Sequence, residues 1–215
     1  YFDAPQNFNR TNLFSKYTLF KESSKVSFSI FHFDSKWNAS GQIPQRAVDQ
    51  GLIGRFGAID DTEGGNTSRS IVNFKHDKQL DENSTLKTSA YLSLYDFELY
   101  SNFTFFLEDP INGDQIKQKE KRTTFGLNSE FEKITNVKET PVKYQLGIGL
   151  RQDKVADIEL SHTVNRLTTL ANIMLGDINE SNLSAYGNAE FKFNKLIINP
   201  GIRYDYFKFD YYDKL

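Results

Sequence analysis

Residues 141–151 read PVKYQLGIGLR. Val142, Tyr144, Leu146, Ile148 and Leu150 share one parity; Lys143, Gln145, Gly147, Gly149 and Arg151 share the other. Nothing in the stretch breaks the alternation. A period of two marks a β-strand with two unlike faces. One face is apolar and wide, the other polar, with two glycines and two cations. A single such strand fits a soluble sandwich as well as a membrane barrel. The recurrence of the pattern along the chain, and the spacing between copies, carry more information.

Working outward, the same alternation appears at Asn9–Phe20, Lys25–Ser35, Ser68–Asp77, Thr85–Tyr95, Arg122–Lys133, Asn182–Asn194 and Leu196–Lys208. That predicts eight strands. In Lys25–Ser35 the aromatics Phe31 and Phe33 switch to the polar parity beside His32. A bulge or a thick aromatic band near the strand end would account for this. The connections run short, long, short, long, short, long, short. Lys21–Ser24, Lys78–Ser84, Ile134–Thr140 and Asn194-Lys195 are the short ones; Lys36–Thr67, Asp96–Lys121 and Gln152–Ser181 are the long ones, with Ile158, Leu160 and His162 in the last placed to prolong the strand pairing. Regular alternation of tight turns with long loops is the signature of an antiparallel up-and-down transmembrane β-barrel. The alternatives are a self-contained small outer-membrane barrel and a soluble β-sandwich binding module, whose strands alternate in the same way. Lys36–Thr67 is too apolar for disorder and reads as a folded loop without strand or helix period.

Composition narrows the field. Aromatics make up 14% of the 215 residues, with 19 Phe and 11 Tyr, which suits strands. No Cys is present, so disulfides and thiolate zinc sites are excluded. A formal net charge of −2 gives no reason to expect nucleic-acid binding. Mean hydropathy is −0.56, and no apolar run reaches the length of a transmembrane helix. A barrel, whose strands are only half apolar, is unaffected by that test. His32, His76 and His162 lack metal-motif spacing. No nucleophile–base pair and no Gly-rich phosphate loop stand out, so neither an enzyme nor a cofactor is expected.

Three stretches carry a resemblance beyond periodicity. Trp37–Arg69 reads WNASGQIPQRAVDQGLIGRFGAIDDTEGGNTSR and looks like an extracellular barrel loop of TonB-dependent outer-membrane receptors. Asn199–Phe207, NPGIRYDYF, resembles a strand that follows a tight turn in the same receptors. Asn102–Pro110, NFTFFLEDP, is similar to a loop-forming segment there. The resemblance implies a section of a barrel of about 22 strands with a plug threaded through it. It implies a bacterial outer-membrane location and energy-dependent uptake of a scarce nutrient, such as a ferric siderophore or a cobalamin-like ligand. The partners implied are outer-membrane lipid, the rest of the barrel and its plug, the TonB energy complex acting through that plug, and a metal chelate or similar small ligand. With about eight strands and no segment reading as a plug, residues 1–215 are expected to be an internal piece of the wall.

Two sets of site residues follow. The loop set is Trp37, Arg46, Arg55, Asp60, Glu63, Arg69, Tyr100 and Phe105, with guanidinium groups suited to an anionic chelate. The plainer reading of the loop charges is self-packing through internal salt bridges, and of Trp37 and Phe97–Phe106 an interfacial aromatic girdle. The wall set is Lys143, Gln145, Arg151, Glu190, Arg203 and Asp205, expected to face the lumen. Val142, Leu146, Ile148 and Leu150 are expected to face lipid.

Overall fold

A computed structural model describes residues 2–215. The strands are β1 (Asn9–Lys21), β2 (Ser24–Asn38), β3 (Gly64–Asp81), β4 (Ser84–Ser101), β5 (Ile116–Val137), β6 (Thr140–Val164), β7 (Thr168–Phe193), β8 (Leu196–Ile198) and β9 (Gly201–Asp213). They form one antiparallel sheet in chain order, with β8 and β9 both paired to β7. The last predicted strand is thus one stave in two pieces. The break falls at Asn199-Pro200, where proline has no N–H to give the ladder. The sheet does not close on itself, since β1 and β9 are not paired. A single sheet is also not a two-layer sandwich, and only Tyr100, Val142 and Val155 form buried apolar core among the described residues.

Tight turns at Glu22-Ser23, Glu82-Asn83, Lys138-Glu139 and Asn194-Lys195 lie at one end. The other end carries residues 39–63, residues 102–115 and a turn at 165–167. The two longer loops are shorter than the sequence pattern predicts, because β2, β4 and β5 run on past the membrane-facing segments. The first loop also holds a short helix, α1 (Gln45–Asp49), inside an otherwise irregular fold.

The expected third long loop, Gln152–Ser181, is corrected: β6 and β7 continue through it as a hairpin, and Ile158, Leu160 and His162 do prolong the strand pairing. Three register shifts, at Val155/Ile158, Leu160/Ser161 and His162/Thr163, reset the parity and hide the period of two. Asp157, at φ 49, sits in the first of them, and Asn165 and Arg166 turn the tip with φ 55 and 60. Conversely, no bulge interrupts β1–β2 or β2–β3, so Phe31 and Phe33 stay on the polar face.

Register aligns the two faces across the whole sheet. Tyr17, Phe28, Phe74, Ala90, Leu127, Leu150, Leu183 and Tyr206 form one continuous cross-strand row. All eight are apolar or aromatic. Ile148 is 64% exposed and Ile202 80% exposed, which in water would be costly over so wide a face. Lipid is the solvent that face fits. Away from that central row the apolar band no longer follows the rows. In the row of Leu94, Leu13 on β1 and Leu94 on β4 are apolar, His32 and Ser70 between them are polar, and Thr123, Lys154, Asn179 and Asp210 on β5, β6, β7 and β9 are all polar. In the row of Leu86 the order reverses: Lys21, Ser24 and Lys78 are polar, and Phe131, Leu146 and Ile202 apolar. A level membrane crossing tilted strands requires such a slant, because barrel strands lean about 35–45° from the axis.

Candidate functional site: the lumen-facing wall and its loop junction

The polar parity lines the face on which the sheet's deeper concavities lie. Its half toward the tight turns is a lattice of paired charges. Glu132 accepts from Lys87 at 3.1 Å and Lys143 at 2.9 Å. Gln145 donates to Glu130 at 3.3 Å and Glu132 at 3.1 Å. Glu190 pairs with Lys192 at 3.2 Å and Asp205 with Arg203 at 2.7 Å. Tyr186 lies across Gly147 and gives its hydroxyl to Glu130 at 2.5 Å. A Cβ at Gly147 would come within 2.2 Å of the Tyr186 ring, and one at Gly126 within 2.1 Å of Tyr91. These glycines are seats for tyrosine rings, the role by which an aromatic covers a strand glycine.

The half toward the loops is different. Phe33, Arg69, Tyr95 and Arg122 are successive partners in one row across β2, β3, β4 and β5. The Arg69 guanidinium lies over Tyr95 at 4.5 Å, and that of Arg10 over Phe33 at 5.2 Å. Arg122 and Arg151 converge on the buried Asp153, at 3.7 Å and 2.6 Å. Thr124 donates to the same carboxylate at 2.7 Å. A concavity of about 410 Å³ is lined by Arg69, Tyr91, Tyr95, Glu120, Arg122 and Arg151, among others. A second, of about 430 Å³, is lined by Arg10, Asn12, Phe31, Phe33, Thr67, Arg69 and Tyr95.

Above this wall the loops are tied together through neutral donors and the Arg166 guanidinium. Asp60 accepts from the N–H and hydroxyl of Thr62, from Asn102 at 3.0 Å and from Gln115 at 3.0 Å. The buried Gln115 spans the junction, its carbonyl accepting from the Arg166 N–H at 2.9 Å and the Thr163 hydroxyl at 3.2 Å. The Arg166 guanidinium donates to the carbonyls of Thr62 and Glu63 and lies 5.7 Å over Tyr100. Burial alone would raise the Asp60 carboxyl, but its donors outweigh that and hold it low. Glu63 goes the other way: burial, aided by the nearby Asp60 charge, raises it against one N–H from Asn102. Its Oε1 is buried without a partner. In the second loop burial again pushes Asp114 up. The Thr104 hydroxyl and the N–H groups of Asp109, Glu108 and Leu107 reverse this and lower it to about 2.

The structure therefore separates the loop residues that the sequence groups together. Asp60, Glu63 and Tyr100 are committed to the junction. Arg46 and Arg55 are exposed on the first loop, and Phe105 is half-buried in the second with φ 63. Arg46, Arg55 and Arg69 make no salt bridge among the described residues, so internal ion pairing is not what holds the loop. Trp37 has the parity of Phe31 and Phe33, on the lumen side and not in a lipid-facing girdle. Lys143, Gln145, Arg151, Glu190, Arg203 and Asp205 share the polar face. Sequence reasoning missed Arg10, Tyr91, Tyr95, Arg122 and Asp153. The parity of Arg69, read across the partner strands, points to Tyr95 and Arg122.

The family described as TonB dependent receptor-like, beta-barrel matches residues 1–215. The chain belongs to that family. Its wall accordingly lies in the outer membrane of Gram-negative bacteria, in contact with lipid. Among solved structures it is similar to the ferric citrate transporter FecA in unliganded form. That match has TM-score 0.81 and 10% identity, covering 96% of this chain and 30% of the transporter. It is also similar to the ferric-catecholate import receptor Fiu from Escherichia coli K12. The closed form gives TM-score 0.69 at 10% identity, covering 98% of this chain and 36% of the receptor; the open form gives 0.72 at 8%, covering 98% and 39%. The chain thus spans about a third of each of these proteins. Among curated proteins, none matches the sequence.

Proposed function

We propose that residues 1–215 form part of the wall of an outer-membrane receptor that imports a scarce nutrient as an anionic metal chelate, of the ferric-siderophore kind. The rest of the barrel and a plug belong to the same receptor, and the TonB energy complex acts through that plug. The observation that carries the reading is the contrast within the polar face. In its lower half Lys87, Lys143, Lys192 and Arg203 are each paired with a carboxylate. Its upper half opens into adjoining concavities lined by arginines and aromatics, groups suited to holding oxyanions. The fold shared with receptors named for ferric citrate and ferric catecholates supports it.

The test is uptake of radioactive iron by cells expressing the complete receptor. Uptake that needs both the receptor and an energised inner membrane supports the proposal. Energy-dependent uptake of a cobalamin-like ligand without any ferric chelate would keep the transport class and replace the ligand. Growth and uptake unaffected by loss of the receptor, for every chelate offered, would refute it.

A further inference from the structure

Among the described residues two buried side-chain oxygens have no hydrogen-bond partner, Glu63 Oε1 and Ser101 Oγ. The fold brings them to one place. Gly64 and Tyr100 are the outermost partners of the β3–β4 ladder, and Glu63 and Ser101 are the next residues beyond that pair. The Glu63 carboxyl accepts the N–H of Asn102, the residue after Ser101. That brings the carboxyl up to the Ser101–Asn102 peptide, and the Ser101 hydroxyl can take three staggered positions there. Glu63 and Ser101 are each only 6% exposed within this chain. No other segment of a larger barrel therefore reaches either oxygen without displacing the residues that cover it.

An ionised carboxylate would be poorly held at this point. It would be buried, with one N–H donor, near the charged Asp60 of the same loop, and such a setting penalises the charged form. The other charged and titratable groups around the junction are engaged elsewhere. Arg166, at the tip of the β6–β7 hairpin, donates to the backbone carbonyls of Thr62 and Glu63 and makes no salt bridge among the described residues. Tyr100 on β4 gives its hydroxyl to Glu98. On β6, Glu159 pairs with Lys117 and His162 bonds the carbonyl of Gly113. Asp114 is held by the N–H groups of the second loop, and Asp61 is exposed. A metal ion beside Glu63 would face the Arg166 guanidinium. A proton on Oε1 supplies the missing donor instead. A neutral carboxyl has one O–H to give, and giving it to Ser101 satisfies both oxygens at once.

We infer that Glu63 is a proton-operated latch at the mouth of the wall: its neutral carboxyl donates from Oε1 to the Ser101 hydroxyl, and opening of the first loop releases that proton to water. The latch does not depend on which ligand is imported. Because Gln115 and Arg166 tie the first loop to the second and to the hairpin tip, it acts on the whole outer junction. Burial sets Glu63 above its ordinary 4.5, so the latch is intact below pH 4.5 and is lost as pH rises through the folded value. Asp60 has the opposite sign: its contribution is complete above its ordinary 3.8 and falls away only in stronger acid. Between pH 4.5 and pH 7 the change therefore belongs to Glu63.

The experiment is hydrogen exchange of the complete receptor in detergent, read as protection factors for residues 39–63 from pH 4.5 to pH 7. In the unaltered protein protection should fall about fivefold across that range, the net worth of one hydrogen bond. Glu63→Gln, whose amide donates without titrating, should keep the high protection throughout. Ser101→Ala should lose about fivefold at pH 4.5 and nothing further at pH 7. His162→Gln should retain the fall, which separates Glu63 from the histidine of the second loop. The profile of the unaltered protein needs no variant, so a poorly folding mutant does not decide the outcome. Protection that stays flat or rises with pH overturns the latch, as it would if a buried water joined an ionised Glu63 to Ser101. A fall that persists in Glu63→Gln overturns it too, as does Ser101→Ala without effect at pH 4.5. Each of these results leaves the uptake reading standing.

Discussion

Replacing Leu146 by arginine tests the membrane placement at its most sensitive point. On β6 the outward apolar run extends from Val142, which is itself buried, with Thr135 and Phe191 as cross-strand partners, to Leu150, and Leu146 lies four residues from each end. At about 3.3 Å per residue, that is about 13 Å along the strand. For a strand tilted by about 40° it becomes about 10 Å along the membrane normal, against a hydrocarbon band about 25 Å tall. Leu146 therefore sits near the midplane, 55% exposed on the lipid face. An arginine there should cost about 2–4 kcal/mol. Gln145→Arg, one residue away, points into the lumen beside Glu130 and Glu132 and should change stability by less than about 0.5 kcal/mol. Denaturant unfolding of the complete receptor in phospholipid bilayers measures both. Equal costs for the two variants, or a cost at Leu146 below about 1 kcal/mol, would refute the assignment of faces.

Gly147→Val should expel Tyr186 from its seat and break its bond to Glu130, costing about 1–3 kcal/mol. Combined with Tyr186→Ala the losses should fall well short of additive, and a fully additive double mutant would contradict the seat. Asp114 is held at about 2, below its ordinary 3.8, so its contribution to the second loop is complete above pH 3.8 and disappears as pH falls through 2. Pepsin should therefore leave residues 102–115 uncut at pH 4 and cleave them near pH 2, whereas Asp114→Ala should be cleaved at both. Glu63 has the opposite sign: its carboxyl is raised, so the loop junction is strongest when the group is neutral and loosens as pH rises through its folded value. Glu63→Gln should slow hydrogen exchange in residues 39–63 at pH 7; faster exchange would show that the charge itself is needed.

The sequence displays the faces of this sheet far better than its ends. Wherever a strand is in plain register, as at Pro141–Arg151, the parity of each residue is its address, lipid or lumen. Above the membrane the constraint of a uniform apolar face lapses. There β6 and β7 continue with three register shifts, so a hairpin looks like a loop. Phe31 and Phe33 misled for a related reason. Aromatics on the polar parity fit either a bulge or an aromatic band near the strand end; their ladder is unbroken, which removes the bulge, and they line the lumen. Within the loops, charge was a poor guide to role. Asp60 and Glu63 look like ligand-binding residues until Gln115 and Arg166 are seen to draw them into a junction. Gln115 joins groups 48 to 55 residues away in sequence, and no local pattern marks such a residue.

The central claim is that one parity of every strand meets lipid and the other the lumen. Spin labels placed singly at Leu127, Asn128, Leu183 and Ser184 of the complete receptor in bilayers test it directly. Collisions with oxygen, which concentrates in lipid, should dominate at Leu127 and Leu183. Collisions with a water-soluble nickel chelate should dominate at Asn128 and Ser184. The same preference at adjacent positions on β5 and β7 would contradict the account.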